Sequence, residues 1–283
     1  MNFLEKHHFL LRRLHSLTGI VPIGVFLIAH LTTNSTILWG AANGRADGFV
    51  TEQVAAEVAQ PTLRAVGTFQ EEVEFINGLP ALLLIEITLW VSIAFHSVLG
   101  VYYATTGKRN TTRYAYQDNW RYTLQRWSGY IGILFVFYHI ATLRWGWTFL
   151  VPGGAKWDHH HSASTLAAAM QGSTEGMTAV GFLVSLLYFV GVSMLVFHFA
   201  NGLWTAAITW GITISKKAQD RWGWVCGALG GGLMAAGWAS VVGFALLDYD
   251  DAYLVESSMQ GNEVVAAPAD DDDDGVKTAS RYR

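Results

Sequence analysis

Residues 177–212 read MTAVGFLVSLLYFVGVSMLVFHFANGLWTAAITWGI, a stretch that contains no Asp, Glu, Lys or Arg. A helix of about 20 residues is long enough to cross the hydrocarbon core of a bilayer, which is about 30 Å thick. Because lipid offers no hydrogen-bond partner to the backbone, a segment of this kind must be helical. The stretch therefore predicts a membrane-spanning helix with a histidine, His198, inside it.

Four further stretches share this length and apolar character. Of the 283 residues, 52% are hydrophobic and 14% are charged, whereas soluble proteins carry about a quarter charged residues. We predict an all-α membrane protein whose first four spans form a bundle. The five predicted spans are residues 16–39, 79–106, 122–150, 177–212 and 223–247.

Two polar segments lie outside these spans. Residues 41–78 are acidic and rich in small residues, and they are expected to form a long outer loop. The transmembrane domain is expected to cover residues 1–250, and the acidic tail, residues 251–283, to be disordered. We assign no chemistry to either segment.

The distribution of Lys and Arg predicts the orientation of the chain. These residues precede the first span and lie between spans two and three and between spans four and five, whereas the alternate segments are acidic. Cytoplasmic loops of membrane proteins are enriched in Lys and Arg. The N-terminus is therefore expected in the cytoplasm and the C-terminus outside.

Four histidines lie deep inside four different predicted spans, one in each: His30, His96, His139 and His198. An ionisable side chain at membrane depth is costly and is by default a candidate for function. A hydrogen bond to a neighbouring helix would explain any single one of them. One histidine in each of four spans indicates a shared role instead.

The depths of these histidines divide them into two pairs. Counted at 1.5 Å per residue from the outer helix breakers, His30 lies about 15 Å deep and His139 about 20 Å deep. On the same scale His96 lies about 24 Å deep and His198 about 33 Å deep. We name His30 with His139 the outer pair, and His96 with His198 the inner pair.

Two histidines at one depth suit the two axial positions of a haem. Zinc and non-haem iron sites gather three or four ligands, usually with carboxylates or thiolates. A haem iron with both axial positions filled by protein has no open site, so it transfers electrons. We predict two b-type haems, one bound by each pair, that carry electrons across the membrane.

A repeated pattern supports these sites. The sequence FHSVLG at residues 95–100 shares Phe-His-x-x-x-Gly with FHFANG at residues 197–202. A glycine one helical turn after the histidine allows a flat macrocycle to approach the backbone. Gly100 and Gly202 are therefore predicted to line the haem sites, and ordinary helix packing through small residues is the alternative.

A second, weaker echo involves TG at residues 18–19 and SG at residues 128–129. The first glycine precedes His30 by eleven residues, and the second precedes His139 by ten. Small residues are common wherever transmembrane helices pack closely. The echo alone therefore predicts no specific role.

Four motifs resemble those of a known family: RRLHSLTG at 12–19, FLIAHL at 26–31, LQRWSG at 124–129 and FHFANGLW at 197–204. They resemble the cytochrome b556 membrane-anchor subunit of succinate dehydrogenases, in the two-haem, single-anchor type of bacteria that use menaquinone. The resemblance extends over roughly residues 8–247. In that family the first and third histidines bind one haem and the second and fourth bind the other, which agrees with the pairing from depth.

The resemblance implies a subunit of respiratory complex II in the bacterial cytoplasmic (inner) membrane. A flavoprotein subunit would oxidise succinate in the tricarboxylic acid cycle, and an iron–sulfur subunit would carry the electrons. This chain would anchor both subunits and pass the electrons through its two haems to a quinone. The expected quinone is menaquinone. No nucleic-acid partner is implied.

Three charged residues receive further roles. Arg13 and Arg126 lie near the inner ends of spans one and three, where guanidinium groups could pair with haem propionates. The alternative is ordinary positive charge on the cytoplasmic side. Glu86, about 9 Å inside the outer boundary, is the candidate for proton delivery to the quinone. An interfacial residue or one that is hydrogen-bonded to span one is its alternative.

Two other functions remain open from the residues. The chain could be a dihaem cytochrome b of another membrane dehydrogenase, which would have a different electron donor. It could also be a transporter without haem, whose buried histidines move protons or pack helices.

Overall fold

The computed structural model describes residues 3–43, 50–107 and 119–261, and the regular elements in these ranges are all helices. The predicted all-α class is thereby confirmed for this part of the chain. The α-helices are α1 (Phe3–Lys6), α2 (His8–Ile20), α3 (Pro22–Asn43), α4 (Glu52–Glu57), α5 (Gln60–Asn77), α6 (Leu82–Thr106), α7 (Asn119–His139), α8 (Ser162–Gln171), α9 (Ala179–Thr209), α10 (Lys216–Leu246) and α11 (Tyr249–Met259).

Four of the five predicted spans correspond to helices that are long and apolar enough to cross a membrane. These are His8–Ala42, Leu82–Thr106, Ala179–Thr209 and Lys216–Leu246. The first combines α2 and α3, which meet at Pro22, a residue without the N–H that would continue the helical ladder.

The third predicted span, residues 122–150, corresponds to α7 and a π-helical turn, Ile140–Arg144, that follows it directly. This segment is not among the four apolar helices of the described ranges. Arg121, Gln125 and Arg126 make the first turns of α7 polar. A five-span topology therefore stays a prediction.

The spans pack into one bundle. Helix α9 contacts α7, α10 and α2, while α6 lies against α2 and α3. Close approach depends on small residues, as at Gly191 of α9, where an added Cβ would lie 2.3 Å from the ring of Phe135. An apolar cluster centred on Leu31, Val196 and Leu233 joins α3, α9 and α10.

The expected long loop at residues 41–78 is wrong where the structure describes it, because α4 and α5 occupy most of residues 52–77. Polar composition concealed an amphipathic helix. In α5, Leu63, Val66 and Phe69 recur every three residues and are buried along one face. We name α4, α5, α8 and α11 the helical cap, since they pack on one another beside α3, α9 and α10.

The predicted disordered tail also begins too early. Residues 251–259 belong to α11, which is capped at its start by the Asp248 carboxylate accepting a hydrogen bond from the Asp251 amide. Ala252 and Val255 are buried against the rest of the cap, which stabilises the helix. Residues 262–283 of the predicted tail lie outside the described residues.

Candidate haem-binding sites

The two predicted histidine pairs are each brought together in the bundle. The ring centres of His96 and His198 are 6.1 Å apart with planes at 83°, and those of His30 and His139 are 5.7 Å apart with planes at 79°. Imidazoles on opposite sides of one metal ion place their ring centres about 6 Å apart, because each metal–nitrogen bond is about 2 Å long and each ring centre lies about 1 Å further. Both pairs match this spacing.

The pairs lie at two levels of the bundle. Gly19 and Gly129 contact the rings of the inner pair. His30 follows Gly19 by eleven residues, and His139 follows Gly129 by ten. At 1.5 Å per residue, these two intervals place the outer pair about 15–17 Å from the inner pair along the bundle.

The inner pair is oriented by backbone carbonyl groups of α2 and α7. Nδ1 of His96 lies 2.9 Å from the carbonyl oxygen of His15. Nδ1 of His198 lies 3.1 Å from the carbonyl oxygen of Gln125 and 3.2 Å from Oγ of Ser128. An Nδ1–H that donates to these oxygens leaves Nε2 with its lone pair free for a metal.

The outer pair has side-chain partners instead. Nδ1 of His139 lies 3.4 Å from the hydroxyl oxygen of the buried Tyr188, and Nδ1 of His30 lies 3.4 Å from the side-chain nitrogen of Asn34. Phe26 stacks on His30 with ring centres 5.1 Å apart. Directly after His139, α7 becomes a π-helical turn, a feature that is frequent at functional sites.

The motif at residues 197–204 forms a polar network that sequence reasoning missed. The Asn201 amide donates to Oε1 of Gln125 over 2.8 Å and accepts a hydrogen bond from Arg121 over 2.9 Å. Gln125 in turn donates to the carbonyl oxygen of His198 over 3.1 Å. The Arg121 guanidinium lies 4.1 Å above the ring of Trp204. The network fixes α7 against α9 beside the inner pair.

The sequence favours a surface or docking role for His15 at the inner interface, but the residue lies against the inner pair. Its ring stacks on that of His96, with centres 4.0 Å apart and planes at 11°. Its Nδ1 atom is buried and makes no hydrogen bond with any residue that the structure describes. The RRLHSLTG motif, which contains this residue, was the available signal.

Gly100 and Gly202 do not contact the paired rings. An added Cβ at Gly100 would lie 3.2 Å from the His15 ring, and one at Gly202 would lie 3.6 Å from the Gln125 amide. The glycines that contact the inner pair are Gly19 and Gly129, from the weaker of the two sequence repeats. A role for Gly100 and Gly202 beside a macrocycle stays a prediction.

The predicted arginines each lie over an aromatic ring. The guanidinium of Arg13 is 4.3 Å from the ring centre of Phe9, and that of Arg126 is 4.7 Å from the ring centre of Tyr122. Such contacts stabilise a cation that is partly removed from water. The pairing of Arg13 and Arg126 with haem propionates stays a prediction.

Glu86 forms an ion pair with Arg144, the last residue of the π-helical turn. Oε2 of Glu86 is 3.1 Å from Nη2 of Arg144, and Oε1 accepts from both Nε and Nη2. One turn further along α6, Trp90 stacks on Trp145 at 5.8 Å. The partner of Glu86 thus lies in the third predicted span. The alternative of a hydrogen bond between Glu86 and span one is wrong.

No group of three or more His, Cys, Asp or Glu side chains in residues 3–43, 50–107 and 119–261 is arranged to hold a metal ion. Facing histidine pairs inside an apolar helical bundle are the arrangement expected of a membrane cytochrome b.

Comparison with known proteins identifies the family. The chain is 34% identical over 215 residues to the succinate dehydrogenase cytochrome b558 subunit of Bacillus subtilis (strain 168), a match that covers 76% of this chain and 86% of the relative. The chain belongs to the family of succinate dehydrogenase cytochrome b subunits, as the resemblance predicted, and is a multi-pass membrane protein. No family model and no solved structure matches it.

Proposed function

We propose that the chain is the membrane-anchor cytochrome b subunit of a succinate:quinone oxidoreductase, and that it passes electrons from an iron–sulfur subunit through two b haems to a quinone. The observation that carries this proposal is the facing of two histidine pairs at two levels of the bundle. Similarity to a relative that is itself a succinate dehydrogenase cytochrome b subunit supports it.

The residues present fit two haem groups. Each pair supplies two imidazoles at the spacing that opposite ligands of one iron require. Haem, when bound, supplies one-electron transfer. The chain would hold each iron through two histidines, orient the rings of His96, His139 and His198 through oxygen atoms near Nδ1, and exclude water with apolar helices. Arg13 and Arg126 would pair with propionates at the inner end.

The remaining parts of the proposal follow from family membership and charge distribution. Five spans would cross the bacterial cytoplasmic membrane, with the N-terminus in the cytoplasm and the C-terminus outside. A flavoprotein and an iron–sulfur subunit would dock on the cytoplasmic side. Menaquinone would be the electron acceptor, as the resemblance implies.

We place quinone protonation near Glu86. Its partner Arg144 follows His139 by five residues, about 7.5 Å along the helix, so the ion pair lies near the level of the outer pair. A carboxylate held at this depth could deliver protons while the outer haem delivers electrons. The Glu86 side chain is 28% exposed at the surface of the bundle, so it is not sealed inside the helix packing.

A visible spectrum and subunit analysis of the purified complex test this function. We expect a reduced-minus-oxidised spectrum with a b-type α-band, two haems per chain, and co-purification with a flavoprotein and an iron–sulfur protein. Absence of the α-band would overturn the cytochrome assignment and favour a transporter. Haem with a different dehydrogenase attached would favour the other dihaem cytochromes.

A further inference from the structure

The two ligands of the inner pair are held by equivalent five-residue elements on different helices. HSLTG occupies residues 15–19 in α2, and QRWSG occupies residues 125–129 in α7. In each element the carbonyl oxygen of the first residue lies 2.9–3.1 Å from Nδ1 of an inner-pair histidine on another helix. The sequence echo thus corresponds to one repeated contact.

The fourth residue of each element carries a hydroxyl group that bonds to the same carbonyl oxygen. Thr18 Oγ1 donates to the His15 carbonyl over 3.0 Å, and Ser128 Oγ donates to the Gln125 carbonyl over 3.1 Å. Hydroxyl groups that bond back into a helix bend it slightly. Such a bend favours a carbonyl that is directed towards a neighbouring helix.

The fifth residue is a glycine directly beneath the imidazole. A Cβ added at Gly19 would lie 2.5 Å from Cε1 of His96, and one at Gly129 would lie 3.1 Å from Cε1 of His198. Any larger side chain would push the ring away from the carbonyl oxygen four residues earlier. The ring of His96 therefore requires glycine at position 19 and the ring of His198 favours it at position 129, and packing between helices does not explain these glycines fully.

We propose that Gly19 and Gly129, with Thr18 and Ser128, are positioning residues for the inner haem. They seat the imidazoles of His96 and His198 so that Nδ1–H reaches a backbone carbonyl, and Nε2 would then be free to bind the iron. This inference rests on the haem sites proposed above. A hydrogen bond from Nδ1–H also makes Nε2 a stronger donor to the metal, which stabilises the ferric state.

Three variants of the complete complex test the proposal, namely Gly19→Ala, Gly129→Ala and Ser128→Ala. The matched control is Gly231→Ala in α10, where no atom of the described residues lies within 4 Å of an added Cβ. The measurements are haem content per chain, a redox titration of both haem components, and the low-field g value of each ferric haem by electron paramagnetic resonance. His96→Ala and His30→Ala identify the inner and outer components.

The contact distances set the expected order of effects. Gly19→Ala should lower inner haem occupancy several-fold while the outer component stays. Gly129→Ala should keep both haems but change the g value and raise the potential of the inner one, because its contact is longer. Ser128→Ala should raise the inner potential slightly with full occupancy, and Gly231→Ala should match the wild type.

An inner component that is the same in Gly19→Ala, Gly129→Ala and Gly231→Ala would overturn the proposal. Should Gly19→Ala fail to accumulate, unchanged inner components in both Gly129→Ala and Ser128→Ala would overturn it equally. A wild-type complex without haem would instead refute the proposed function, so the two failures are distinguishable.

Discussion

The hydroxyl oxygen of Tyr188 lies 3.4 Å from Nδ1 of His139. Tyr188 is buried in the bundle, with only 8% of its surface exposed. Substitution can remove this partner of the outer pair, whereas both histidines of the inner pair also have a backbone carbonyl partner, which substitution cannot remove. The two haem sites are therefore expected to respond differently to substitution.

Replacing Tyr188 with Phe should raise the potential of the outer haem by about 20–60 mV, the one-electron equivalent of a hydrogen bond worth about 0.5–1.5 kcal/mol. The acceptor for Nδ1–H is lost, so Nε2 becomes a weaker donor and the ferric state is less stable. Redox titration measures the shift. Tyr138→Phe is the control, because the Tyr138 hydroxyl bonds to the Leu150 carbonyl. Equal shifts in both variants would contradict the assignment.

Alanine substitutions of the four histidines should separate the haems. His96→Ala and His198→Ala should lose the inner component, and His30→Ala and His139→Ala the outer one, because each iron depends on two axial ligands. Haem content should fall from about two to about one per chain. The pairing would be wrong if His30→Ala and His96→Ala removed the same spectral component.

Glu86→Gln should leave both haems bound and succinate oxidation by an artificial acceptor intact, while quinone-linked turnover falls at least about tenfold. Glutamine keeps the shape of the side chain but carries no ionisable proton. Parallel assays with quinone and artificial acceptor measure the effect, and Glu175→Gln in an exposed loop is the control. Undiminished quinone turnover in a fully haem-loaded Glu86→Gln complex would move the search to other acids.

The stability of the helical cap should decrease as the pH rises, because of Glu256. Burial raises the pKa of this carboxyl from 4.5 to about 7, although Ser164 and the amides of Ala163 and Ser164 donate hydrogen bonds to it. A group with a raised folded-state pKa contributes stability that is complete below about 4.5 and is lost as the pH rises through about 7. The contribution is on the order of 3 kcal/mol.

Limited proteolysis of the cap between pH 5 and pH 8 measures this effect. Cleavage around α11 should accelerate with pH beyond the intrinsic pH dependence of the protease, which a peptide substrate calibrates. Glu256→Gln should remove most of that acceleration, and Glu57→Gln, at an exposed position, should preserve it. The same acceleration in Glu256→Gln and the wild type would exclude Glu256 as its source.

The bundle and the relation between its histidines could be predicted from the sequence. Lipid imposes a length and an apolar composition on each span, so hydropathy locates the helices. Buried histidines are rare enough to be recognised one by one, and a helix converts residue number into depth. The structure brings together the same pairs that the depths indicate, His30 with His139 and His96 with His198.

Only the tertiary structure identified the partners of these histidines and the helical cap. The carbonyl groups of His15 and Gln125 are backbone atoms, which every residue carries, so composition gives no sign of their role. The helices of the cap form from polar sequence because their apolar faces pack against each other, as at Phe69 and Val255. A hydropathy average over a window conceals such a face, and contacts between distant segments decide the rest.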